Sequence, residues 1–383
     1  METFYLILLV PIIVALIARL GFKASITWIE TGVQIFAVCT ILGIVWLAGS
    51  YSQTHDTEIW NGEVTGKVRH HDQYTESYKC RCHQSCSGSG ENRSCHEVCS
   101  TCYREHYTVD WFLKSTLGKI RLQYYDRTSR RVYKEPDPAN YTAAYVGEPC
   151  SDARGYTNYI KAVPDSLFNM ADAQYEQFDS LIPSYPTVYG KYHVDHVITM
   201  GMGANVPIRD WNDYLAGKLR KLGPSSQANI ILIIVNTADQ TYRHELETAW
   251  LGGKKNDIIV MVGSTNYPTI DWVDTITLGQ NAGNSLMTVK IRDEITALES
   301  IESGQAVIDT IATNVAKHFD RKPMADFEYL KDDIQPATWV VVTAFTLAFL
   351  LSAVLTWLFH VYDPFGSGGS RRSIRINRYR RFK

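Results

Sequence analysis

The chain contains no G-x-S-x-G, no H-E-x-x-H and no G-x-x-x-x-G-K-[ST]. It therefore offers no nucleophile elbow, zinc-protease helix or phosphate-cradling loop. The stretch Met200-Gly201-Met202-Gly203 lacks the third glycine and the acidic partner of a dinucleotide fingerprint. No excess of one charge sign exists across the whole chain, whose formal net charge is −2. That average hides a strong partition, because apolar residues gather at the two ends and the middle is polar and rich in tyrosine.

Charge is nearly missing from three apolar runs. Residues 4–20 carry only Arg19, residues 26–49 only Glu30, and residues 337–362 no full charge. About 20 apolar residues cross a bilayer core, with ~17 as the lower limit, so all three runs read as transmembrane helices, the first at the minimum length. Trp28, Trp46, Trp339 and Trp357 lie toward run ends, where an amphipathic ring prefers the interface. A signal peptide would put bases before its apolar core. Here Glu2 comes first and Arg19 and Lys23 follow, so the first run reads as retained. The Lys23 loop and a tail holding Arg371, Arg372, Arg375, Arg378, Arg380, Arg381 and Lys383 mark one side of the membrane. By the positive-inside rule that side is the cytoplasm, which puts the N-terminus and residues 50–336 outside and residues 363–383 inside. Setting aside Arg19, Lys23 and the seven tail bases leaves 29 of 38 Lys and Arg; setting aside Glu2, Glu30 and Asp363 leaves 37 of 40 Asp and Glu. An ectodomain at net −8 is not nucleic-acid-binding chemistry, which needs a basic face. The basic tail reads as a plain topology anchor, with binding to anionic lipid or nucleic acid as the alternative.

Residues 80–102 hold six of the eight cysteines: Cys80, Cys82, Cys86, Cys95, Cys99 and Cys102. Disulfide stapling fits the cluster, and so does zinc, with Cys99 and Cys102 at ligand spacing and His83 and His96 alongside. An extracytoplasmic compartment favours disulfides. Six cysteines allow fifteen pairings, and Cys150 is a further candidate partner, while Cys39 lies inside the second apolar run. Strand patterns at 58–68, 107–113 and 119–125 flank the cluster, so residues 55–150 read as a small β domain with a stapled finger at 80–102. Asn92 and Asn140 begin glycosylation sequons that matter only in a eukaryotic secretory host.

After a connecting segment at 151–192 the pattern becomes α/β over 193–325. Strands are expected at 193–200, 228–235, 257–262 and 269–278, and helices at 208–222, 240–250, 284–298 and 304–319. Trp211, Leu215, Leu219 and Leu222 share one helical face. Strand–helix–strand order implies a parallel pair. His193 and His196, three apart on an expected strand, would point to opposite faces and make poor joint metal ligands.

This order of elements, with the stretch Trp250, Gly252, Gly253, Lys254, Lys255, Asn256, Asp257 before an apolar strand, resembles the TPM domain. Gly279 stands where that family's next strand ends, and the basic residue usual on that strand is missing here. The resemblance covers about 195–320. The whole layout is also similar to uncharacterised membrane proteins of bacteriophages and bacteria. TPM proteins are often membrane-tethered, and the resemblance implies either an assembly factor for membrane complexes or a metal-dependent phosphatase.

Open α/β sheets carry sites at the carboxyl ends of parallel strands. That gathers Asn236, Thr237 and Asp239 near Gly263, Ser264 and Thr265, with Asp271 and Asp274 as further carboxylates for Ca²⁺ or Mg²⁺. The alternative is that Asp239 and Ser264 only cap turns and helices. The expected fold is thus membrane-anchored, with three transmembrane helices, a disulfide-rich β domain and a TPM-like α/β domain whose partly parallel sheet is flanked by helices. The expected function is an extracytoplasmic binding or assembly module that meets an envelope or membrane-complex protein. A TPM-type phosphatase and a subunit of a homo-oligomeric pore are the alternatives.

Overall fold

A computed structural model describes residues 6–21, 26–88, 94–128, 135–163, 176–203, 206–279, 281–362 and 364–365. The Lys23 loop, Asn92 and the basic tail lie outside the described residues. The main elements are α1 (Val10–Gly21), α2 (Trp28–Thr54), β1 (His55–Ser87), β2 (Ser94–Ser115), β3 (Gly118–Thr128), β4 (Pro149–Thr157), β5 (Val197–Met200), α3 (Ile208–Ser226), β6 (Asn229–Val235), α4 (Tyr242–Ala249), β7 (Asp257–Gly263), β8 (Trp272–Thr277), α5 (Ala282–Thr296), α6 (Gly304–His318) and α7 (Thr338–Tyr362). They fall into two compact units.

The first unit holds the apolar helices. Among the described residues two of them, α2 with 27 residues and α7 with 25, are long and apolar enough to cross a membrane. The first run departs from expectation. Its helix α1 has 12 residues, about 18 Å at 1.5 Å per residue, short of a core about 30 Å thick. Pro11 explains the break at residues 8–9 that separates α1 from the helical residues 6–7, since proline has no N–H to give and its ring clashes with the carbonyl four residues back. The three helices pack through small and branched residues, among them Val10, Val38, Leu42, Ala344 and Ala348. Gly49 permits the closest approach of α2 to α7, because a Cβ there would lie 2.8 Å from both methyls of Val340. Thr27 and Glu30 form a capping box at the start of α2, and Gln34 Nε2 donates to Thr356 Oγ1 at 3.0 Å inside the bundle. Gln53 joins the two helix ends by donating to the Gln335 carbonyl and accepting from the Ala337 N–H.

The second unit comprises residues 56–161 and 165–329. One sheet is antiparallel with strand order β3-β2-β1-β4. Its core is Val64, Tyr107, Val109, Trp111, Leu113 and Cys150 with their neighbours. Beyond His106, where β3 ends its pairing with β2, β1 and β2 continue as a two-stranded ribbon whose residues are mostly exposed. Such a ribbon is marginal in water without help, and three disulfides provide it: Cys80–Cys102, Cys82–Cys99 and Cys86–Cys95. The pairs are nested rungs at sequence separations of 22, 17 and 9. All six sulfurs are spent in S–S bonds, so Cys99 and Cys102 offer no thiolate and the zinc alternative with His83 and His96 falls. Cys150 forms no disulfide and is buried; burial pushes its thiol up to about 12.

The other sheet has order β5-β6-β7-β8, its first three strands parallel and β8 antiparallel. Every residue of β6 and β7 is buried, which is why both read as unbroken apolar runs. Ile230, Leu232 and Ile234 face α3, α5 and α6. Ile231, Ile233 and Val235 face α4, Phe178 and Trp250. The antiparallel sheet is joined to the amino ends of β6 and β7 by buried amides. Asn61 donates to Asn229 Oδ1 at 3.0 Å and accepts from the Ser151 hydroxyl at 2.7 Å, and Asn256 donates to the Ile59 carbonyl at 2.7 Å.

A candidate ligand cleft

The carboxyl ends of the parallel strands do not assemble a site from the expected residues. Asp239 Oδ1 accepts from the backbone N–H and hydroxyl of Thr241 at 2.9 and 2.8 Å, and these bonds hold its carboxyl below the usual range. Asp271 Oδ2 likewise accepts from the N–H and hydroxyl of Thr265 at 2.6 and 2.7 Å. Asp274 turns toward Arg243 at 3.6 Å and accepts from the Thr275 N–H. Ser264 is buried, its N–H bonded to the Val235 carbonyl and its hydroxyl unpartnered. Asn236 donates to the Gly201 carbonyl, and the Thr237 carbonyl accepts from the Trp272 indole. Asp239 and Asp271 thus organise their own turns, and Asp274 is turned toward Arg243. Among the described residues one group of three His, Cys, Asp or Glu ligand atoms lies within 4.8 Å, namely Cys82, Glu97 and Cys99, and two of those are bonded to each other.

The polar side chains that do converge lie elsewhere. A cleft of about 1110 Å³ opens beside β5, the edge strand of the parallel sheet. Helix α3 forms its floor. The amphipathic pattern buries Trp211, Leu215 and Leu219 beneath the helix, and Arg209, Asn212, Asp213, Ala216, Gly217 and Arg220 lie along the opposite stripe and line the cleft. The small pair Ala216 and Gly217 leaves the middle of the floor low.

Two walls rise from this floor. One is a tight hairpin in which the backbones of Tyr189 and His193 exchange hydrogen bonds at 2.8 and 3.0 Å. Gly190, at φ +56°, makes that turn possible. The hairpin sets the His193 ring 4.1 Å from that of Tyr192 and 5.8 Å from that of Tyr189. Tyr189 donates its hydroxyl to Asp195 at 2.9 Å. The other wall is the segment 145–151, with Tyr145 exposed and Glu148 accepting from the Tyr192 hydroxyl. Arg220 ties the floor to this wall by donating to the Gly147 carbonyl at 2.6 Å. The Ser151 N–H donates to the Tyr192 carbonyl and joins one wall to the other.

His196 stands in the cleft lining and is 2% exposed. Its ring bonds the Ile230 backbone, Nδ1 has no partner, and burial lowers its pKa to about 4. It is therefore a neutral imidazole at neutral pH, with Nδ1 as an acceptor. Asn212 blocks the edge of β5: its Oδ1 accepts from the N–H groups of His196 and Val197 at 2.7 and 2.8 Å, and its Nδ2 donates to the Val197 carbonyl at 3.3 Å. Sequence reasoning placed His193 and His196 on one strand with opposed faces. In fact β5 begins only at Val197, and both histidines line the same cleft. The tyrosines, Asn212 and Gly217 gave one legible signal, a glycine inside an otherwise regular amphipathic helix.

Comparison of the chain with protein-family models, with curated proteins and with solved structures returns no match.

Proposed function

We propose that the protein is a membrane-anchored binding module whose 56–329 unit lies outside the cytoplasm and engages an envelope component through the cleft beside β5. The observation that carries the reading is the cleft itself. It is large, open and lined by ring faces and planar polar groups, and no serine, cysteine or threonine nucleophile is paired with a base in its wall among the described residues. Pockets of this make-up bind and orient ligands. The three disulfides support an oxidising compartment. Helices α2 and α7 lead into and out of the soluble unit, so two crossings suffice to put it on the side opposite the basic tail, with α1 embedded beside them. The TPM-type phosphatase rests on resemblance alone, since Asp239 and Asp271 are held by neighbouring threonines. A pore subunit would need polar outer faces on its helices. Here Gln34, Ser352 and Thr356 point inward, while Phe36, Ile44, Leu47, Phe345 and Leu350 face out.

The test is site-specific photocrosslinking in native membranes from a probe replacing Tyr189, with one at the exposed Leu286, outside the cleft lining, as control. Tyr189 should yield a discrete adduct that Leu286 does not. Recovery of the uncrosslinked protein alone from both positions would contradict the reading.

A further inference from the structure

We infer that the ligand of this cleft is an oligosaccharide, held by side chains rather than by strand pairing. The inference rests on the binding reading above and names the ligand class for the same site.

The first observation concerns the backbone. β5 is a sheet edge, and an extended peptide ordinarily joins such an edge through main-chain hydrogen bonds. The Asn212 amide already occupies the Val197 N–H and carbonyl, as an added strand would. With that pair of main-chain groups closed, side-chain chemistry carries the larger share of recognition. The second observation is the kind of side chain. Tyr145 and Tyr189 are 60% and 52% exposed, and His193 is half-buried beside them. Exposed rings on both walls give flat apolar faces on which the C–H face of a pyranose stacks, with polar tips left for hydroxyls. Carboxylates and guanidinium groups from Asp195, Asp213 and Arg209 are planar and present paired oxygens or nitrogens at a spacing that suits adjacent sugar hydroxyls.

Charge and shape narrow the class further. The lining mixes both signs, Arg209 and Arg220 against Glu148, Asp195 and Asp213, so neither a polyanion nor a polycation meets a complementary field. A neutral, hydroxyl-rich chain does not meet that conflict. At about 1110 Å³ the space lies at the upper end of ligand pockets, roughly 300–1,000 Å³, and has room for more than one sugar ring. Gly217 keeps the floor low. A Cβ there would meet nothing within 4 Å, so neither packing nor backbone requires glycine at that point. Glycine inside a helix costs roughly 0.5–1 kcal/mol relative to alanine.

The experiment uses the full chain in detergent on an array of neutral and acidic oligosaccharides, beside an array of peptides of equal length, with titration calorimetry on the best hit. Wild type should bind at least one oligosaccharide saturably. Gly217→Leu, which fills the floor, should abolish that binding with the melting curve unchanged. Tyr189→Ala should weaken it about threefold to tenfold, the loss of one stacked ring, and provides a second readout if Gly217→Leu fails to fold. Oligosaccharide binding that both variants retain would overturn the proposal, and so would no oligosaccharide bound at millimolar concentration. Peptide hits without oligosaccharide hits would overturn the ligand class and leave the binding reading standing, whereas failure of the Tyr189 crosslink would sink the binding reading itself.

Discussion

Lys254 connects two buried carboxyls whose pKa values are shifted in opposite directions. Its ammonium lies 2.7 Å from Asp56, and its backbone N–H donates to Asp257 at 2.7 Å. Burial pushes Asp56 up, but the ammonium, together with Asn158, holds it below the ordinary carboxylate value. Asp257 has no ammonium at that distance, and burial raises it from 3.8 to about 6 despite hydrogen bonds from Asn229, Lys254 and Tyr185. Between those two values the folded protein keeps a proton that the unfolded chain has released, so this group's contribution to stability is intact below pH about 4 and declines as pH rises to about 6. Asp257→Asn should flatten that decline, worth on the order of 3 kcal/mol, as read from melting temperatures across this window. An unchanged slope would show that Asp257 is ionised throughout. At the base of the ribbon, His106 sits 2.8 Å from Asp126 and 3.1 Å from Glu76. The bond to Asp126 raises the imidazole above 6.5 and lowers the carboxyl below 3.8. The histidine's contribution is present at acid pH and lost as pH rises through its folded pKa, while that of Asp126 is lost as pH falls through its own. An NMR titration of His106 should find a midpoint above 6.5, and Asp126→Asn should bring that midpoint down.

At the scale of elements, the ribbon and the helix pair make separable predictions. The ribbon lacks a core of its own and depends on its rungs. Replacing Cys82 and Cys99 by serine removes the middle rung, and because Cys80–Cys102 and Cys86–Cys95 still close the chain on either side, it costs less than the roughly 3 kcal/mol of an isolated closure of that length. Limited proteolysis should then cut the ribbon first, with core melting little changed, because the ribbon adds almost no buried area. For the helices, Gly49→Leu should separate α2 from α7 and lower the melting temperature in detergent, at a cost of about 1–3 kcal/mol. Gly43→Ala, where an added Cβ meets nothing within 4 Å, should be neutral or slightly stabilising. Element types were legible because their causes are local. β6 and β7 are buried on both faces and so carry continuous apolar runs, and α3 shows its buried face every three or four residues. The first apolar run misled because composition says nothing of Pro11, which shortens the helix to 12 residues.

For the whole molecule, the apolar ends and the cysteine cluster were legible because long apolar helices and disulfides announce themselves by residue type. The pairing was not, since it depends on the register of β1 against β2. The cleft was also hidden. Its walls and floor come from residues 145–151, 189–199 and 208–220, and each segment alone reads as a loop or a solvated helix face. The strand-end carboxylates sit where parallel sheets usually bind ligands, yet in this chain local turns hold Asp239 and Asp271, and Asp274 faces Arg243. The account depends throughout on where the 56–329 unit resides, because that placement makes the disulfides stable and the cleft available to the envelope. Alkylation of intact cells followed by peptide mapping without reduction tests this most directly. The account predicts linked peptides for Cys80–Cys102, Cys82–Cys99 and Cys86–Cys95, with Cys150 reacting only after denaturation. Six alkylated thiols in the cluster would contradict it.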